Sequence, residues 1–341
     1  MSVPALPADA AWFQKRFRRP LHDLGAAGHD TLRGLLSPTY DAGEVAKYMS
    51  SYYDTAAGVA GQVEKFDLTA YYRRLLSEAF ARTGRPPPSG ADATILELGC
   101  GFGSATFPLL ALCPGARLAA TDLSVPMLAA LQTQLLQRGG RERCVLVQLN
   151  AEDLDFAPGS FDLVVGAALL HHLLDPGAML RALYPLLRPG GAAIFFEPFE
   201  LGMDVVGLIY CAALRDPRSW LLWPPYRRYL AHCVRVWGLN RNPNKRDPYF
   251  AGQDDKWMFA RADVARWATA AGFAGCLVYP LDTSPRPFAG LIKIHLAGNG
   301  ITRMPGWFWR LVDEFEASFT EAVKPELLTE GAIVLTRAPT P

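Results

Sequence analysis

The sequence predicts an α/β fold: a mostly parallel sheet covered by helices on both faces and carrying a mostly helical cap. Three observations carry this reading. Short apolar runs alternate with amphipathic stretches between residues 91 and 197, the pattern of strands buried on both sides. The apolar run 95–98 breaks directly into Gly99, Gly101 and Gly103, and residues 104–112 then begin a helix with Ala105, Leu109, Leu110 and Leu112 on helical spacing. Two long aromatic-rich stretches, 198–260 and 284–329, interrupt the alternation where a sheet needs only short connections.

Taken in order, residues 1–90 form a helical lid. It comprises aromatic segments at 12–17 and 41–53, a helix over 68–81 and a linker at 83–90 rich in Pro and Gly. Strands follow at 94–98, 118–121, 145–149, 163–167 and 192–196, with helices at 127–137 and 179–187 between them. The first insertion, 198–260, is a cap. The core resumes over 261–283 with a helix at 261–271 and a strand at 276–281. A second cap insertion, 284–329, holds a strand-like run at 291–297 and a helix from Trp307 to about Val323. Residues 330–341 are a closing strand and tail.

Composition bounds the partners. The 341 residues carry 34 Lys plus Arg against 33 Asp plus Glu, so no global field draws the chain to nucleic acid or to an anionic membrane. Six cysteines lie at 100, 113, 144, 211, 233 and 276 without zinc-like spacing, which suits reduced thiols in a cytoplasmic protein. The N-terminus has no signal-peptide pattern. The most apolar segment, 205–214, stops at Arg215-Asp216-Pro217, too short to span a bilayer.

The order strand, glycine turn, helix is a nucleotide-binding geometry. Glycines turn tightly and admit a ligand with no Cβ in the way, and the helix start behind them offers unpaired N–H groups. Glu97 precedes the first glycine, and Asp122 ends the next strand, placed to hold two ribose hydroxyls. A turn alone explains any one glycine; it does not explain the set in register. Gly99, Asp122, Asn150, His171 and Glu197 all fall at carboxyl ends of strands, where ligands of open α/β sheets collect.

At these residues the chain resembles the class I S-adenosylmethionine-dependent methyltransferases, in their small-molecule branch. The match continues through Leu149-Asn150-Ala151-Glu152-Asp153, Phe161-Asp162-Leu163-Val164-Val165, Leu170-His171-His172-Leu173 and Leu187-Arg188-Pro189-Gly190-Gly191. The resemblance implies a Rossmann-like parallel sheet of about seven strands with the last strand antiparallel, and S-adenosyl-L-methionine as cofactor. It implies a cofactor site of Glu97, Gly99, Gly101, Gly103, Asp122, Leu123, Asn150 and Ala151. Asn150 stands where the branch commonly has Asp, and its amide oxygen can still accept from the adenine amino group. Tyr52-Tyr53-Asp54 resembles a segment that relatives fold over the cofactor, which adds Tyr53 to the cofactor site and Tyr52 to the substrate site.

Catalytic candidates are His171, His172 and Glu197. Histidine titrates near neutrality and can act as a base; a buried Glu197 would have a raised pKa. Adjacent histidines cannot both face one pocket, so one of them shapes the turn. Trp223, Tyr226 and Trp257 are substrate candidates from the first insertion, whose aromatics can box an apolar or cationic group and whose arginines can clamp an anion. Packing between cap and core, or a homodimer through the cap, is the plainer account of most of them. No metal is expected, because no histidine or carboxylate cluster accompanies Asp254 and Asp255 in the sequence.

The leading function is methyl transfer to a small organic molecule, a secondary metabolite, in an enclosed aromatic pocket. A second reading keeps the cofactor but performs an intramolecular cyclisation that releases methylthioadenosine. A third is a protein methyltransferase. Balanced charge argues against a nucleic-acid acceptor. The acceptor atom is left open.

Overall fold

The computed structural model describes residues 10–27, 30–40, 55–63, 68–250 and 253–340. The whole aromatic segment 41–53, with Tyr52 and Tyr53, lies outside them. A single sheet organises the chain, with strand order β1-β2-β5-β4-β3-β6-β7-β9-β8. Its strands are β1 (His22–Asp23), β2 (Leu35–Ser37), β3 (Thr94–Leu98), β4 (Arg117–Asp122), β5 (Cys144–Gln148), β6 (Phe161–Ala167), β7 (Leu187–Pro198), β8 (Gly275–Pro280) and β9 (Glu330–Thr336). From β2 to β7 neighbouring strands run parallel, and β9 runs antiparallel to both β7 and β8. The sheet grows outward from β3 in both directions. The crevice beyond the ends of β3 and β6 is therefore where a ligand collects.

The helices are α1 (Ala11–Gln14), α2 (Ala56–Val63), α3 (Thr69–Thr83), α4 (Thr106–Leu112), α5 (Val125–Arg138), α6 (Pro176–Leu183), α7 (Glu200–Arg215), α8 (Pro224–Leu239), α9 (Arg261–Ala271), α10 (Pro287–Gly298) and α11 (Gly306–Ala317). Local chemistry sets several boundaries. Ser124 caps α5 by accepting from the Met127 N–H, with Pro126 in the first turn. Asp175 caps α6 in the same way through the Ala178 N–H, ahead of Pro176. Left-handed Gly84 and Gly272 end α3 and α9.

The structure departs from the sequence reading in four places. The sheet has nine strands, because β1 and β2 extend one edge; at two and three residues they are too short to show an alternating pattern. The described part of residues 1–90 is not simply a lid. The apolar face of α3 (Leu75, Leu76, Ala79, Phe80) is buried against the sheet, and Phe13 and Phe17 pack on Phe156. The run 291–297 is part of helix α10, not a strand; β-branched and apolar residues there face a helical core, so periodicity alone misleads. The helix beginning near Trp307 ends at Ala317, well before Val323.

Two apolar clusters fill the faces of the sheet, and a third belongs to the cap. It joins Val206, Ile209 and Tyr210 of α7 and Leu230 of α8 to Phe288 and Ile292 of α10 and Phe308 and Val312 of α11. The two insertions thus share one core. Gly202 makes the junction with the sheet: a Cβ there would come within 2.3 Å of the Leu328 backbone.

Candidate active site

The turn after β3 shapes the first cavity, of about 380 Å³. Gly101 has φ +53° and a Cβ built on it meets nothing within 4 Å, so its backbone faces open space. Gly103 serves packing instead, since its Cβ would lie 2.5 Å from Leu131 Cδ1; it does not line the cavity. Glu97, Gly99, Gly101, Asp122, Leu123, Asn150 and Ala151 all do, together with His172.

Two carboxyl groups of this cavity are held in different ways, Asp122 by backbone N–H groups and Glu97 by a hydroxyl. Asp122 accepts from the Gly101 N–H through Oδ2 and from the Ser124 N–H through Oδ1, both at 2.8 Å. Burial raises its pKa, and those two N–H groups pull against the rise. Glu97 is 1% exposed and accepts from the Thr106 hydroxyl at 2.7 Å. Burial pushes it up to about 8. Asn150 Oδ1 already accepts from the Glu152 N–H at 2.9 Å, which leaves one lone pair for a ligand.

A second cavity, of about 430 Å³, lies beside the first, and Tyr72, Ala168 and Asp254 line both. Its walls include Tyr71, Phe196, Trp237, Trp257, Met203 and Met258, with the polar groups of His171, His232, Glu197, Asp255 and Glu330. Ala168 has φ +53° where every other positive φ among the described residues belongs to glycine. Strain of this kind persists where the surroundings over-determine it.

Beside the cavities stands an ionic cluster, buried at His171 and Glu197 and exposed at Asp255. His171 Nδ1 lies 2.6 Å from Glu197 Oε2, and its Nε2 lies 3.3 Å from Asp255 Oδ1. Glu197 also accepts the N–H groups of Leu169, Leu170 and His171. Burial opposes charge on His171, but Glu197 and then Asp255 outweigh it, holding the imidazole up at about 10. His172 goes the other way. Burial and then the charge on His171 push it down to about 3. Its Nδ1 lies 2.9 Å from the Asp254 carbonyl, which can only accept, so Nδ1 carries the proton and Nε2 is the acceptor. Burial would raise Asp255, yet the hydrogen bond and charge of His171 hold it well below the carboxylate range.

Residues 254–257 are strapped to this turn. The N–H groups of Lys256 and Trp257 donate to the His171 carbonyl, and Trp257 Nε1 donates to the Leu173 carbonyl at 2.9 Å. The expectation that no histidine accompanies Asp255 is thus corrected: ligand-type atoms of His171, His172 and Asp255 fall within 4.8 Å of one another. Folding, not sequence spacing, brings them together.

Of the substrate candidates, Trp257 lines the second cavity. Trp223 and Tyr226 line neither; Trp223 is 67% exposed and Tyr226 packs on the cap cluster. Leu222 and Leu230 take the inward positions at the start of α8, which turns Trp223 outward. His232, Val236, Trp237 and Asn240 were missed; their spacing of four, one and three marks a single face of α8. No Lys or Arg lines either cavity among the described residues, so the arginines of the first insertion clamp nothing there.

A model of methyltransferase domains matches residues 96–193. An uncharacterized protein from Synechococcus sp. is 39% identical over 120 residues, which is 35% of this chain and 28% of that one. A ubiquinone biosynthesis O-methyltransferase from Parvibaculum lavamentivorans is 30% identical over 157 residues, covering 44% and 60%. A ubiquinone/menaquinone biosynthesis C-methyltransferase from Hahella chejuensis is 34% identical over 108 residues, covering 31% and 43%. The chain thus spans between 28% and 60% of the length of these relatives. The matched stretch contains the glycine turn, Asp122, Asn150 and the paired histidines, and the cosubstrate of the class is S-adenosylmethionine. Residues 96–193 are thus similar to the methyltransferase domain of S-adenosylmethionine-dependent enzymes of class I.

Proposed function

We propose that this chain transfers a methyl group from S-adenosylmethionine to a small organic acceptor with an apolar, ring-like body, a secondary metabolite, held in the second cavity. The observation that carries the reading is the adjacency of the two cavities through Tyr72, Ala168 and Asp254. When bound, the cosubstrate supplies an electrophilic methyl group on a sulfonium. The protein's part is to place the acceptor in line and keep water out. Asp122 takes the ribose hydroxyls, the Gly101 backbone admits the ligand, and Asn150 meets the base.

The pKa directions divide the catalytic candidates. His171 is charged at neutral pH and cannot take a proton; with Glu197 it fixes the turn and orients Asp255. His172 is neutral, and with its proton on Nδ1 it accepts at Nε2. Its low basicity suits it to orient an acceptor hydroxyl rather than to store the proton. Relatives named for transfer to oxygen and to carbon share this core, so the acceptor atom follows from the cap.

The test is product analysis with phenolic and other ring acceptors. A methylated product and S-adenosylhomocysteine in equal amounts are expected. Methylthioadenosine in their place would overturn methyl transfer in favour of a cyclisation on the cosubstrate's own chain. His172→Ala is expected to lower kcat more than it changes S-adenosylhomocysteine affinity.

A further inference from the structure

We infer that the outer turn of the cap, residues 217–223, is a docking surface for an anionic lipid bilayer. Trp220, Leu221 and Trp223 are 75%, 85% and 67% exposed, three bulky apolar side chains within four residues. A contiguous exposed apolar patch of this kind marks an interaction site.

The turn is built to hold them outward. Leu222, between them, is buried in the cap cluster, and Ser219 is fully buried with its hydroxyl donating to the Leu214 carbonyl. Asp216 accepts from the Arg218 N–H at the start of the short 3-10 helix Pro217–Leu221, and α8 begins directly after Trp223 at Pro224 and Pro225. The wedge is therefore rigid, with its inward residues anchored and its apolar ones facing solvent.

The charges around it choose the occupant. Between positions 215 and 235 the chain has Arg215, Arg218, Arg227, Arg228 and Arg235 against a single acid, Asp216, which Arg218 takes up. A net charge of +1 over the whole molecule conceals this local excess. Arg227 lies over the Trp220 ring at 3.9 Å, and Arg215 and Arg228 are exposed beside the wedge. Tryptophan flanked by arginine is the composition that settles at a lipid headgroup layer, the ring at the boundary and the guanidinium on phosphate. A second copy of this chain fits less well, because a twofold pairing of the patch with itself brings the same arginines face to face. The surface does not span a bilayer: no helix among the described residues is long and apolar enough to cross one. From Trp223 the helix α8 runs on to His232 at the second cavity, about 14 Å along its axis.

The test is flotation of the full chain with vesicles of one part phosphatidylglycerol to two of phosphatidylcholine, against pure phosphatidylcholine. Binding to the anionic vesicles is expected, weakened by salt and by the pure phosphatidylcholine surface. The triple variant Trp220→Ser, Leu221→Ser, Trp223→Ser should bind vesicles about tenfold more weakly or worse, with S-adenosylhomocysteine affinity unchanged. Arg228→Glu should remove the preference for phosphatidylglycerol while the fold, read by near-UV dichroism, stays intact. No vesicle binding, or binding that the triple variant retains, would overturn the inference. So would a concentration-dependent dimer in sedimentation equilibrium that the triple variant abolishes, since the patch would then belong to a second copy.

Discussion

His171 Nδ1 and Glu197 Oε2 stand 2.6 Å apart, and this contact ties the turn after β6 to the end of β7. Glu197→Gln removes the counter-charge while keeping the volume. The His171 pKa is expected to fall from about 10 towards the ordinary imidazole value, readable from its ring protons by NMR. Glu197→Ala additionally leaves three backbone N–H groups without their acceptor. It should destabilise the fold by about 3–5 kcal/mol, measured by denaturant unfolding.

The paired histidines make opposite contributions to stability against pH. His171 titrates at about 10 when folded and near 6.5 when unfolded. Its contribution is full below pH 6.5 and is lost as pH rises towards 10. His172 is depressed to about 3, so folding disfavours its charged form and stability falls as pH drops from 6.5 towards 3. Unfolding curves of His171→Asn should show a flatter alkaline arm, and those of His172→Asn a flatter acid arm.

Asp122 is expected to govern cofactor affinity. Asp122→Ala should weaken S-adenosylhomocysteine binding by about 2–3 kcal/mol, measured by calorimetry. Part of that loss comes from the Gly101 and Ser124 N–H groups, which lose their acceptor. Asp122→Asn keeps one carbonyl acceptor and should fall between the two. Unchanged binding in both variants would sink the assignment.

Gly101→Val should abolish cofactor binding with a modest cost in stability. The new side chain meets no protein atom within 4 Å of its Cβ, so it projects into the cavity. Its φ of +53° adds strain of about 1–2 kcal/mol. A variant that melts near the parent temperature yet shows no heat of binding is the expected pair of results.

Ala168 offers a separate test of strain. Ala168→Gly relieves its left-handed backbone, and Ala168→Val aggravates it by placing a β-branched residue there. The Val variant should lose about 1–3 kcal/mol, and the two variants should differ in activity because the residue borders both cavities.

The core was legible because its signals are local. Glu97, the glycines and Asp122 sit within one strand–turn–helix–strand unit, and their spacing alone places them at strand ends. The cap was legible as an insertion but not as a surface. Trp223 and Trp237 look alike in the sequence; Leu222 and Leu230 are buried while Trp223, at the cap of α8, is exposed, and Trp237 lines the cavity from near the far end of the same helix. Asp255 was unreadable for another reason. It lies more than eighty positions from His171, and hydrogen bonds of a connecting segment bring them together. The strand-like reading of 291–297 failed because a helix packed on other helices can be apolar on most sides.

The strap at 254–257 constrains how this molecule can be altered by descent or by engineering. His171 borders the second cavity and His172 the first, while Asp255, but not Asp254, belongs to the second alone. Neighbouring residues of one extended segment serve different chambers. A single residue inserted or deleted between Asp254 and Lys256 would put the wrong side chain against His171, however well the cap still folded. Helices α7, α8, α10 and α11 share their own core and can drift, lengthen or be exchanged to suit new acceptors. The run from Asp254 to Trp257 cannot.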